Sequence, residues 1–408
     1  MIRTVTVVGA SLAGVSTVRA LRAQGYDGAI TVVGDEPHAP YDRPPLSKGF
    51  LTAPDQPSPD PLLQDGEDLA VDWRLGVRAT GLDAATRTVV LADGSTVGAD
   101  AVVLATGARA RRLPGTGSPG TDSPGTGSPG TGSRTGVHVL RTLDDAVALR
   151  GRLAAGGTLV VVGAGFIGAE VAASARSLGL DVTVVEAQPV PLAGPLGTTM
   201  GQAVAGLHAD HGVRLRTGVG VARLLGDGLV EAVELADGTR LPADTVVVGV
   251  GAVPEVDWLA GSGLDVDGGV RTSATCATDA PGVVAVGDCG LAYDVHARRH
   301  LRAEHWTHAL QQPATAAATL LGAPAPYTAV PYVWSEQYRL HVQLAGWTAG
   351  ADEPVVVHGS VADRSFVATF ERDGALVAVV GVGAPGPFTR WRRTLRTQAA
   401  ARLAAEAG

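Results

Sequence analysis

Cysteine is scarce: Cys276 and Cys289 are the only two in 408 residues, too few for a disulfide framework or a four-ligand zinc site, and both read as free thiols. Lysine is scarcer. Of 32 basic residues Lys48 is the only lysine, a bias that looks like codon usage and leaves the lone survivor asking for a chemical reason. No apolar run reaches the roughly 18 residues of a transmembrane helix, and Met1-Ile2-Arg3 leads into a glycine-punctuated strand and not a signal segment, so the expected compartment is cytoplasmic. An excess of positive charge is also missing. A net charge of -8 and a pI near 5.7 argue against nucleic acid, because phosphate binding needs a positive field. What is present, 45% apolar and 18% charged residues, is a globular balance, and the length suggests three domains.

The order of elements is repeated. Residues 4–9 read as a buried strand, 13–24 as a helix and 29–34 as a second strand; 158–163, 167–178 and 181–186 repeat that grammar. The expected class is therefore α/β, with two Rossmann-like dinucleotide-binding domains. Further strands are expected to end at Ala105-Thr106-Gly107, Val250-Gly251-Ala252 and Val286-Gly287-Asp288. Between the copies lie four tandem pentapeptides, Pro-Gly-Thr-Gly-Ser at 114–133 with Asp122 breaking one, whose composition cannot bury enough apolar area to offset ordering entropy and so reads as a flexible loop. From about Ala323 aromatics cluster, strand-like alternation follows in 355–357, 365–370 and 375–380, and a helix over 388–405 closes a separate α+β domain. The expected division is 1–112 and 242–322 for one dinucleotide domain, 113–136 for the insertion, 137–241 for the other, and 323–408 at the C-terminus.

The first glycine-rich turn is Gly9-Ala10-Ser11-Leu12-Ala13-Gly14. Gly9 permits the tight turn and Gly14 close helix–strand packing, while Ser11 replaces the middle glycine with a side chain small enough for a pyrophosphate to approach. Glu36, 27 residues after Gly9, is placed to accept from ribose hydroxyls, with Asp35 as the neighbouring alternative. The second turn, Gly163-Ala164-Gly165-Phe166-Ile167-Gly168, keeps all three glycines, and Glu186 follows Gly163 by 23 residues. Ala187-Gln188-Pro189 offers no arginine for a 2′-phosphate, which favours NADH over NADPH. Two such sites suggest one tightly held flavin and one exchangeable nicotinamide; their order assigns FAD to the first and NADH to the second.

The stretch Gly34-Asp35-Glu36-Pro37-His38-Ala39-Pro40-Tyr41-Asp42-Arg43-Pro44-Pro45-Leu46-Ser47-Lys48 closely resembles the ferredoxin reductases that serve haem-thiolate monooxygenases and Rieske-type dioxygenases. So do Ala105-Thr106-Gly107-Ala108-Arg109, Leu140-Arg141-Thr142-Leu143-Asp144-Asp145, Gly165-Phe166-Ile167-Gly168-Ala169-Glu170, Val286-Gly287-Asp288, Glu304-His305-Trp306 and Trp334-Ser335-Glu336-Gln337-Tyr338, in family order along nearly the whole chain. The resemblance implies a glutathione-reductase-like fold whose FAD domain is split by the NADH domain, with a C-terminal domain over the flavin. It implies that Arg43, Lys48, Thr106, Arg141 and Asp288 touch FAD, that Trp306 and Trp334 flank the ring region, and that Glu170 faces Lys48 across the domain boundary at the hydride-transfer site. Three departures stand out: Ser11, the pentapeptide insertion, and Val333 and Glu336 where the family has an aromatic and Asp.

Dithiol reductases and thiol-based oxidases of this fold need a cysteine near the flavin soon after the first βαβ unit, and no cysteine precedes Cys276. Direct transfer to a partner is the remaining plan. The expected partner is an acidic iron-sulfur ferredoxin, docked on Arg298, Arg299 and Arg302 and the cluster Arg390, Arg392, Arg393 and Arg396; ordinary solvated salt bridges are the alternative reading of those charges. The rival function is a redox-gated NADH-binding flavoprotein resembling apoptosis-inducing factor, which acts through assembly.

Overall fold

Two five-stranded parallel sheets organise the computed structural model of the protein, which describes residues 2–55, 57–64, 66–113 and 134–407; the pentapeptide repeat lies outside these residues. The first sheet runs Val283–Ala285, Ala101–Leu104, Thr4–Val8, Ala29–Gly34, Val71–Leu75. Its outer strand returns from far along the chain and pairs in parallel with Ala101–Leu104, Val283 opposite Val102. The second sheet runs Arg214–Thr217, Asp181–Glu186, Thr158–Val162, Thr245–Val248, Val137–His138, also all parallel. A parallel sheet must be covered on both faces, which is why its strands read as continuous Val, Ile and Leu. Val7 and Val103 face one apolar cluster of the first sheet, Val8 and Val102 the other.

The expected strand and helix pairs are present with ends shifted by at most one residue: Leu12–Ala23 and Phe166–Ser177 are the glycine-turn helices. Each domain also carries a three-stranded antiparallel sheet, Ala79–Asp83 with Thr88–Leu91 and Thr96–Gly98, and Val221–Leu225 with Ala232–Leu235 and Arg240–Pro242. These meanders escaped the sequence reading because their strands are short and partly exposed, with no long apolar run. An antiparallel pair, Ala108–Ala110 with Ala252–Pro254, joins the two chain segments that run between the domains.

The C-terminal region is an antiparallel sheet in the order Tyr332–Gln337, Leu340–Gly346, Ala375–Val382, Ser365–Arg372, Val355–Ser360. The expected strands are longer than their apolar runs indicated, and the last helix extends over Pro385–Ala407. One sheet face packs Val342, Phe366 and Val380 against Leu196, Met200 and Leu207 of the helix Ala193–Asp210, in the second dinucleotide domain. The other face is covered by the final helix through Phe388 and Leu395. Among the described residues no helix is long and apolar enough to cross a membrane.

A two-residue hairpin turn, Tyr338-Arg339, fastens this sheet to the neighbouring domain. Both residues have positive φ, 53° and 65°, as such a turn requires, although neither is the glycine or asparagine that tolerates it well. Tyr338 Oη lies 2.6 Å from His208 Nδ1, and its ring stacks on His211 at 4.3 Å. Burial, reinforced by His211, pulls His208 down to about 4. Between pH ~6.5 and ~4 the unfolded chain therefore binds a proton that the native state refuses, so stability falls as pH drops through this window and levels off below it. Urea unfolding at pH 7 and pH 4 is expected to show a contribution of about 3 kcal/mol from His208, which His208→Gln removes.

Candidate functional site

Both glycine turns are built by backbone contact too close for any side chain. A Cβ on Gly9 (φ 121°) would meet Ala105 O at 2.1 Å, and one on Gly14 would meet Gly9 O at 1.9 Å. The second turn repeats this: Gly163 (φ 101°) against Gly249 O at 2.2 Å, Gly168 against Gly163 O at 2.1 Å, while the space above Gly165 is open. Neither helix start has a side-chain cap. In contrast, the helix Leu143–Ala154 carries a full capping box from Thr142 and Asp145. The first-turn N–H groups at Leu12, Ala13, Ile167 and their neighbours are thus left for an anion, with the helix dipole behind them.

The two acidic residues differ in engagement. Glu36 accepts from Arg43 Nη2 and Tyr41 Oη, each at 2.5 Å, whereas Asp35 is exposed and paired with Arg78. Ser11 Oγ lies 3.4 Å from Arg43 Nε. Glu186 accepts from the N–H of Ala164 at 2.8 Å and of Gln188 at 2.9 Å, so its carboxylate stands at the edge of the second turn. Gly251 sits in an exposed loop past Thr245–Val248 at φ 101°. Phe166 packs toward the C-terminal sheet, while Ile167 is exposed.

Between the turns lies the ion pair that the resemblance implied. Lys48 Nζ donates to Glu170 Oε2 at 2.9 Å and to Pro44 O at 3.0 Å, and the side chains are only 17% and 5% exposed. Two hydroxyls complete the carboxylate: Ser47 Oγ donates to Oε2 at 2.5 Å and Ser335 Oγ to Oε1 at 2.6 Å. Ser335 in turn accepts from Gln337 Nε2 at 3.2 Å. Packing delivers Lys48, because Tyr41, Leu46, Phe50 and Leu51 bury themselves in the apolar cluster of the second domain beside Val161 and Val171. Ser47, Ser335 and Gln337 carried no role in the sequence reading; the signal was their place inside the two most specific motifs.

Arg141 Nη2 donates to Asp288 Oδ2 at 2.8 Å and its Nε to Ala108 O, close to the left-handed Gly107. Arg43 reaches the same corner by donating to Arg141 O at 2.7 Å. Thr106 Oγ1 is used by Glu255 O, and Ala105 is the residue Gly9 passes. Trp306 and Trp334 meet edge to face at 5.5 Å. Trp306 Nε1 donates to Asp42 at 2.8 Å; burial pushes the Asp42 carboxyl above its ordinary value and this bond works against the shift. His305 is held below the ordinary histidine value by burial, and its buried Nδ1 has no partner among the described residues.

The seven arginines expected to dock a partner divide. Arg298 pairs with Glu406 and Arg302 with Glu304, while the Arg392 guanidinium lies 3.7 Å over the Tyr332 ring. For these three the alternative of ordinary local pairing has a partner in the fold, since each has an acid or an aromatic face within reach. Arg299, Arg390, Arg393 and Arg396 are exposed with no ion-pair partner among the described residues. Both thiols are buried, and burial pushes Cys276 up to about 12, which leaves neither as a nucleophile. Val333 joins the apolar packing on the helix Ala193–Asp210, and Glu336 points outward.

This donor set fits a flavin dinucleotide at the first turn and a nicotinamide dinucleotide at the second: paired uncapped helix starts, carboxylates at both strand ends, and an ion pair between them. Residues 3–313 match the pyridine nucleotide-disulphide oxidoreductase family and residues 332–407 the reductase C-terminal family. Rhodocoxin reductase of Rhodococcus erythropolis is 39% identical over 97% of this chain and 90% of that protein. The biphenyl dioxygenase system ferredoxin–NAD(+) reductase component of Paraburkholderia xenovorans is 37% identical over 98% and 94%. A chain in the crystal structure of the covalent putidaredoxin reductase–putidaredoxin complex superposes with a TM-score of 0.89 at 32% identity, over 97% of this chain and 93% of that one.

Glu170→Leu leaves the Lys48 ammonium and two serine hydroxyls without their acceptor. It is expected to lower the unfolding free energy by about 3 kcal/mol or more, measured by urea titration, with Glu170→Gln costing less because its one amide oxygen still accepts from Lys48 and Ser47 and only the Ser335 hydroxyl loses its acceptor.

Proposed function

The chain belongs to the pyridine nucleotide-disulphide oxidoreductase family, and on that premise we propose that it takes electrons from NADH through FAD and hands them to a small iron-sulfur ferredoxin. FAD, when bound, supplies the conversion of a two-electron hydride into single-electron transfers. The observation that carries the reading is the Lys48–Glu170 pair, held between two uncapped glycine turns. The proposed domains are 1–112 with 242–322 for FAD, 137–241 for NADH and 323–408 for the partner side, with 113–136 joining the first two.

Within this reading the first-turn residues Gly9, Ser11, Leu12, Ala13 and Gly14 present the helix start to the FAD pyrophosphate, and Glu36 takes ribose hydroxyls with the lone pairs that Arg43 and Tyr41 leave. Arg141 and Asp288 hold the far side of that site, with Ala105, Thr106 and Gly107 beneath. Gly163 to Gly168 and Gly251 frame the NADH site, where Glu186 accepts from the adenosine ribose and repels a 2′-phosphate. Lys48 places a compact cation where negative charge builds during hydride transfer, and Glu170 fixes its direction. Buried thiols give electrons no sulfur route, so they leave past Trp306 and Trp334 toward the exposed Arg390, Arg393 and Arg396, whose charge suits an acidic partner.

The deciding assay is NADH-driven cytochrome c reduction by purified, yellow protein with and without an added two-iron ferredoxin. A strict requirement for the ferredoxin supports the reading. Turnover indifferent to every ferredoxin tried, together with an NADH-dependent change in assembly, supports the redox-gated alternative. Charge reversal at Arg390, Arg393 and Arg396 is expected to weaken ferredoxin-dependent turnover and flatten its salt dependence while ferricyanide reduction persists.

Cofactor choice gives an independent check. NADH is expected to exceed NADPH at least tenfold in kcat/KM, about 1.4 kcal/mol. Glu186→Ala narrows that gap, and equal values for both nucleotides in the native protein refute the assignment.

A further inference from the structure

The strand Tyr332–Gln337 faces two ways. Side chains alternate along a strand, and here Tyr332 and Trp334 fall on one face while Val333, Ser335 and Gln337 fall on the other. The even face is aromatic: Tyr332 stacks on Trp334 at 5.9 Å, Trp334 meets Trp306, and Arg392 covers Tyr332. The odd face reaches Glu170, the acid that neutralises the buried lysine, through a hydroxyl that is itself fully buried. The strand ends in the positive-φ turn that seats Tyr338 on His208 and His211, so its register against the second domain is pinned at both Ser335 and Tyr338.

Glu170 Oε2 is shared by Lys48 and Ser47, both from the first domain, and among the described residues Oε1 is taken by Ser335 alone. Without that donor the carboxylate keeps its ion pair but loses the bond that fixes its rotation about the Cγ–Cδ axis. We propose that Ser335 is a positioning residue for the hydride step: it holds Glu170 turned toward Lys48, and it makes the alignment of that pair depend on the C-terminal hairpin that also presents Tyr332 and Trp334. The inference rests on the NADH and flavin reading above. Gln337, donating to Ser335, sets the hydroxyl so that its proton goes to Glu170 and not elsewhere. Ser335 touches neither cofactor in this account and acts through Glu170 alone.

The test is stopped-flow bleaching of the flavin by NADH in the holoenzyme, for the native protein, Ser335→Ala, Ser335→Thr, Glu170→Gln and the Ser335→Ala/Glu170→Gln double variant. Ser335→Ala is expected to lower the limiting rate at saturating NADH by roughly tenfold, as for one lost hydrogen bond to a charged group, with the NADH dissociation constant and flavin content unchanged. Ser335→Thr keeps a hydroxyl and restores the rate to within about threefold on the same scale. In the Glu170→Gln background Ser335→Ala adds nothing further, a coupling that general loosening of the fold would not produce. A native protein that NADH fails to bleach overturns the functional reading itself. Native bleaching matched by Ser335→Ala, or a Ser335→Ala loss that persists undiminished in Glu170→Gln, overturns the role of Ser335.

Discussion

The largely buried ion pair between Lys48 and Glu170 sets terms that the rest of the molecule has to meet. Taking an ammonium and a carboxylate out of water costs several kcal/mol per ion, and their attraction compensates only when the remaining donors and acceptors are also satisfied. Most of them are here: Pro44 O takes a second of the three lysine protons, and Ser47 and Ser335 take the other carboxylate positions. The partners come from three separate parts of the chain, so satisfying one charge pair brings those parts into register. The apolar contacts do the same work from below. Leu46, Phe50 and Leu51 sit in the core of the second domain, and Leu196, Met200 and Leu207 lie under the C-terminal sheet.

That arrangement also explains why a single lysine persists in a chain that otherwise uses arginine. An ammonium is a point charge with three donors that can be satisfied within one small shell, whereas a guanidinium presents five donors in a rigid plane. The corner occupied by Lys48 offers Glu170 Oε2 and Pro44 O. Arginine is used where a fork does fit, as at Arg43, which reaches Glu36, Tyr41 and the Arg141 carbonyl at once.

Local periodicity made both βαβ units legible in the sequence, with strand ends correct to a residue, because a doubly covered parallel strand has no choice but to be apolar throughout. The glycine turns were legible for a similar reason: Gly9 and Gly163 stand where carbonyls at 2.1 and 2.2 Å exclude any Cβ. What resisted reading was long-range and polar. Nothing near Ser335 in sequence shows that its hydroxyl meets Glu170, 165 residues away; only the resemblance brought Lys48 and Glu170 together. The surroundings of the arginines were hidden in the same way, since Arg302 meets Glu304 and Arg392 the Tyr332 ring, and charge runs alone do not reveal a partner in the fold. The short antiparallel meanders were missed because a half-exposed strand of three to five residues has no period long enough to detect.

On the proposed reading, electrons enter from a nicotinamide on one side of the flavin and leave toward a protein on the other, and no thiol is available to carry them between. A β-strand suits that geometry better than a helix or loop would. Its period of two separates neighbouring residues onto opposite faces within a few ångströms, so Ser335 can read the entry side while Trp334, its immediate neighbour, lies on the exit side against Trp306. A helix would spread those contacts over one turn around a cylinder, and a loop would not hold either face still. The constraint is severe: a one-residue slip in register would exchange the two faces, turning an indole toward a buried carboxylate and a serine toward the aromatic cluster. The close pairing of Tyr332–Gln337 with Leu340–Gly346 through a two-residue turn excludes that slip, and accepting positive φ at Tyr338 and Arg339 is the cost of making the turn that short.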